Sequence, residues 1–176
     1  ADYSNDFEPR ADRPNKTGTI MKTRQLQTLW WDWLGTSERL LRCLHEQTAA
    51  LTLRDSARIE RIQPDLDNLI ARIREIDTLA ATSAKTLAEE LGTEPNLRSL
   101  VQVLEKAEAQ QVQSIANRVK VAAQHIEGVM KKNRALIENE LNYVNGTLTL
   151  IAKTASEAKG PYEHASTGAI LLDRAA

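Results

Sequence analysis

A chain of 176 residues with 41% apolar and 27% charged side chains and a formal net charge of -1 fits one or two small soluble domains. Acidic and basic residues alternate along it, so it lacks the basic stripe that neutralises phosphates, and nucleic acid is excluded as a partner. Aromatic residues make up only 4%, while Leu, Ile, Ala, Glu, Gln, Arg and Lys dominate, which is the composition of long packed helices.

The opening "ADYSNDFEPRADRPNKTGTI" is polar, contains two prolines and has no periodicity, so residues 1–21 are expected to form a disordered extension. It lacks the basic start and apolar centre of a signal peptide. Met21 opens "MKTRQLQTLWW", a sensible native start, which makes the preceding residues an upstream extension or expression remnant, or alternatively an interaction arm.

From Leu26 the apolar positions Leu26, Trp30, Trp33, Leu40, Leu44 and Leu51 keep to one helical face, predicting a helix over about 22–52. In "WWDW", Trp30 and Trp33 lie on that core stripe. Trp31 points about 100° away from Trp30 and is expected to be partly exposed, a modest interface signal. Thr52 or Asp55 can cap a second helix, in which Ile59, Ile62, Leu66, Leu69, Ile73, Ile76 and Ala80 repeat in steps of three and four. Pro64 either starts that helix or kinks it. "LGTEPN" closes it, with Gly92 as the stop and Thr93 as the next cap.

Leu97, Leu100, Val101 and Leu104 begin a further stretch. Periodicity alone does not distinguish one helix running on to residue 152 from two joined near 106–111. Val112, Ile115, Val119, Ala122, Ile126 and Val129 then form one seam, and Ile137, Leu141, Val144, Leu148 and Ile151 another displaced by one residue near Asn133. Asn133 either fixes helix register or hydrogen-bonds a partner helix. Gly160 and Pro161 end the helix, leaving 157–176 as a flexible tail. The fold class is therefore all-α: long antiparallel helices in a coiled-coil-like hairpin or a three- to four-helix bundle spanning 22–156, flanked by disordered tails.

No catalytic motif is found. "HEQTA" at His45 begins like a zinc-protease motif, but Ala49 stands where the second histidine must project. His125 and His164 lack partners at ligand spacing, so no metal or other cofactor is expected and the histidines read as solvent-facing. The glycosylation triplets at Asn15 and Asn145 are discounted as chance matches. Carboxylates lie beside Arg and Lys on exposed faces, and the single Cys43 suits a reducing, cytoplasmic compartment. No run reaches the length of a membrane span, so neither an enzyme nor membrane insertion is expected.

The segment "NRALIENELNYVNGTLTLI", followed by a tail with a tyrosine and then "LLDRAA", resembles the C-terminal half of the FlgN family of flagellar export chaperones. From about Met21 the helices follow in that family's order. The first twenty residues have no counterpart there, and the tryptophan cluster is richer than in the family pattern. The resemblance implies a small helical chaperone that binds the hook-filament junction proteins FlgK and FlgL in the cytoplasm. It implies delivery of them to the type III export gate through the cytoplasmic domain of FlhA, without ATP hydrolysis. It places client binding at Asn133, Leu136, Ile137, Glu140, Leu141 and Val144, and gate docking at Tyr162, with Ile170, Leu171 and Leu172 close behind. The expected state is a monomer or weak homodimer. A structural coiled-coil tether or oligomerisation module is the alternative that uses the same stripes.

Overall fold

A computed structural model describes residues 16–158, which form four helices: α1 (Lys16–Thr52), α2 (Ser56–Leu91), α3 (Leu97–Val103) and α4 (Lys106–Ala158). No strand occurs among the described residues. The chain divides into two units, residues 1–134 and 135–176, with α4 contributing to both.

Within the first unit, α2 folds back antiparallel on α1. Lys22 pairs with Glu90, Arg72 reaches Asp32 at 2.6 Å and Arg58 reaches Glu46 at 3.3 Å, so the pairing order reverses along the two helices. α4 then runs parallel to α1. Lys16 meets Glu105, Trp31 meets Arg118 and Thr48 meets Asn133. The bundle is thus up, down, up, with only the sequence-adjacent long helices antiparallel.

Apolar burial holds the three together. Leu26, Ala80, Leu87, Ala88 and Leu100 form one cluster, and Leu104, Ala109 and Val112 form another, with Trp30 and Leu91 packed against both. Leu40, Leu44, Leu66 and Val129 draw one layer from α1, α2 and α4. Each buried Leu or Val among them contributes about 1.5–3 kcal/mol, offsetting part of the ordering entropy of the chain.

The connections follow from local chemistry. At the α1–α2 turn Arg54 adopts φ 56°, and the Asp55 amide donates to the Ala50 carbonyl at 2.9 Å, closing α1 in a left-handed cap. The Asp55 carboxylate then accepts from the Arg58 amide at 3.0 Å, as expected of an N-cap. Gly92, at φ 63°, ends α2 as its sequence position implies, and the Thr93 amide donates to the Ala88 carbonyl at 3.0 Å.

Two boundaries differ from expectation, and the open question of one helix or two after Leu97 is answered. α1 begins at Lys16 rather than near 22, so residues 16–21 are helical. Nothing in "KTGTIM" breaks a helix, and Thr23 extends the buried stripe one turn upstream of Leu26. The cap of α3 is Asn96, whose side chain accepts from the Ser99 amide at 2.8 Å, rather than Thr93. Thr93 is already engaged in ending α2, and Pro95 disfavours helical backbone at Glu94. Finally, α3 and α4 are separate. Leu104 is extended, with ψ 155°, and its side chain is buried beside Ala109 and Val112.

Pro64 lies inside α2, at an exposed position, where it deprives the Glu60 carbonyl of a donor. Pro64→Ala is expected to stabilise the fold by about 1–3 kcal/mol, seen as a higher midpoint in thermal or urea unfolding. An unchanged or lower midpoint would mean that Pro64 sets a bend the packing needs.

Candidate functional site

The candidate residues lie along the second half of α4, and the structure sorts them into two kinds. Asn133 is 2% exposed. Its amide nitrogen donates to the Leu44 carbonyl at 3.0 Å and to Gln47 Oε1 at 2.8 Å, and its oxygen lies 2.5 Å from the Thr48 hydroxyl. The same hydroxyl lies 2.9 Å from the Leu44 carbonyl, so one proton serves two acceptors. Of the two roles open to Asn133, this geometry is that of a register clamp between α4 and α1. Its polar atoms are engaged within the chain and are not presented at the surface.

Past this clamp, exposure rises abruptly. Leu136 and Glu140 are half-buried, whereas Ile137, Leu141 and Val144 are exposed by 40%, 58% and 49%. Leu148 and Ile151 continue the row, and both are exposed. These five apolar positions alternate steps of four and three over about 21 Å of helix, which is the spacing of a helix-pairing seam. No described residue from Ile137 to Glu157 is buried. A long apolar seam left in water is a surface built to be covered.

Two further exposed apolar residues, Tyr143 and Leu150, belong to the same helix but not to that seam. Sequence reasoning passed over them because it followed steps of three and four. Their signal is a spacing of seven, Leu136, Tyr143, Leu150. Tyr162, Ile170, Leu171 and Leu172, the proposed docking residues of the tail, lie outside the described residues.

Elsewhere the side chains have structural roles. Trp33 is buried and Trp30 packs between two core clusters, while Trp31 is 52% exposed with the Arg118 guanidinium 5.5 Å from its ring centre. That stacking accounts for the exposed indole within the first unit. Burial pushes the Cys43 thiol up from its ordinary range, and Asp65 and Glu46 push it further, so it stays protonated and weakly nucleophilic at neutral pH. His45 and His125 are exposed and meet edge to face at 6.1 Å. No cluster of metal-binding side chains and no helix long and apolar enough to cross a membrane occurs among the described residues. The arrangement is suited to binding through apolar surface.

The sequence model of the FlgN protein family matches residues 21–166. The chain belongs to the FlgN family, the flagellar export chaperones. The match begins at Met21, five residues inside α1, takes in all four helices and Tyr162, and stops short of Ile170. No curated protein and no solved structure matches the chain. FlgN membership fits described residues that are almost wholly helical and whose distinctive surface is an exposed apolar helix face.

The clamp yields a stability prediction. Asn133→Ala strands the Gln47 side-chain oxygen, while Thr48 keeps the Leu44 carbonyl, and is expected to cost about 1–3 kcal/mol in urea unfolding. A loss below about 0.5 kcal/mol would show that the network does not hold α4 to α1.

Proposed function

We propose that this FlgN-family protein is a cytoplasmic chaperone for the hook-filament junction proteins FlgK and FlgL, holding them unassembled and passing them to FlhA at the export gate. The observation that carries this reading is the exposed seam Ile137, Leu141, Val144, Leu148 and Ile151. Proteins that polymerise through amphipathic helices expose an apolar stripe until they assemble. A helix with a matching stripe covers it by helix-to-helix packing. Leu136 and Glu140 flank the seam on one side and complete the client surface, while Asn133 secures the helix that presents it.

The same spacing suits self-pairing, the alternative of a coiled-coil tether. A seam of only two heptads is short for a stable homodimer. Sedimentation therefore separates the readings: a chaperone is a monomer or weak dimer that takes up a client, and a tether is an obligate oligomer.

In this reading the tail is the gate ligand. Tyr162 follows the Gly160-Pro161 break, and an aromatic ring anchors an interface at low entropic cost. Ile170, Leu171 and Leu172 add apolar area whose burial helps to offset the ordering of a short segment.

Two substitutions test the assignment. Leu141→Asp sets a charge against a desolvated client helix and is expected to cost about 2 kcal/mol or more, about 30-fold in Kd for a FlgK- or FlgL-type protein. The thermal midpoint should hold, because Leu141 is exposed. Unchanged client affinity would remove the seam from the site. Tyr162→Ala is expected to weaken binding to the FlhA cytoplasmic domain and leave client affinity unchanged. If deletion of residues 160–176 instead tightens client binding without altering gate binding, the tail is a cover for the client surface and not a docking peptide.

A further inference from the structure

We propose that the helix over residues 135–158 takes a client with two helices, one packed on each of two apolar rows; this deepens the client-binding reading above and rests on it. The first row is the seam Ile137, Leu141, Val144, Leu148 and Ile151. The second is Leu136, Tyr143 and Leu150, in which Tyr143 is 58% and Leu150 64% exposed. At about 100° per residue the centres of the two rows lie about 120° apart, with Glu140 and Thr147 between them. A helix that meets a single partner needs only the narrow seam of alternating three and four steps. The added row extends the apolar surface over about half the circumference, which is more than one partner helix covers.

The occupant is indicated by how the same helix is covered in the first unit. There α4 has two helical neighbours. α1 meets it at Asn133 through Leu44, Gln47 and Thr48, and Val129 shares one core cluster with Leu40 and Leu44 of α1 and Leu66 of α2. The apolar pattern of α4 continues from Ala135, but the described residues of the second unit include no other helix. A client hairpin, or the two terminal helices of one client, supplies there what α1 and α2 supply upstream. The seam alone offers five side chains over about 21 Å, and engaging the second row widens the contact without lengthening it.

The experiment uses the full chain, a purified FlgK-type junction protein, and the double variant Tyr143→Lys/Leu150→Lys. Both positions are exposed, so helicity by circular dichroism should match wild type. Client affinity should fall about tenfold or more. Amide exchange in the client should show two separate helices protected by wild type and only one by the variant. If the double variant binds like wild type while Leu141→Asp does not, the client uses one helix and the two-helix proposal is overturned, with the chaperone reading intact. If Leu141→Asp also binds like wild type, that reading falls with it. A free chain that dimerises through Tyr143 and Leu150, losing its dimer in the variant, would assign the second row to self-association and overturn the proposal.

Discussion

The amide of Asn133 is the point on which the structure turns. A carboxamide that is 2% exposed is costly unless its hydrogen bonds are met, and here Leu44, Gln47 and Thr48 of α1 meet them. Any slip of α4 along α1 would break these bonds and bury the groups unpaired. Apolar packing at Leu40, Leu44, Leu66 and Val129 supplies attraction but tolerates sliding, whereas the amide specifies one register. Register in turn decides which turns of α4 the chain itself covers.

Exposed apolar surface is what sets the second half of α4 apart from the first. Val112, Ile115 and Val129 are buried, and Leu141, Leu148 and Ile151 are more than half exposed, although the residue types are alike. No cluster of metal-binding side chains occurs among the described residues, and burial with the neighbouring Asp65 and Glu46 pushes the Cys43 thiol up from its ordinary range. Under the proposed reading, a FlgN-family chain with such a surface acts by covering its client.

Much of this was legible in the sequence because helical periodicity, caps and stops are local properties. Asp55 and Gly92 mark helix ends through groups adjacent in sequence, and the seams of α1, α2 and α4 follow from spacing alone. Other features depend on distant residues. The break at Leu104 involves neither Gly nor Pro and arises where its side chain turns in against Ala109 and Val112. The parallel placement of α1 and α4 follows from two successive reversals of the chain, the second made through α3, which periodicity does not resolve from α4. Asn133 read as a register residue before a client contact, and its partners on α1 decide for register. Tyr143 and Leu150 were passed over for a different reason, since a spacing of seven carries little weight without knowing that the rest of the helix face is bare.

The central claim is that residues 135–158 of α4 are the surface a junction protein covers. Amide hydrogen exchange along the chaperone, free and with a FlgK- or FlgL-type protein, tests it most directly. The account predicts that protection rises over 135–158 on client addition, while the amides of α1, α2 and the first half of α4 exchange as before. Protection gained instead around Trp31 and Arg118, with 135–158 unchanged, would contradict it.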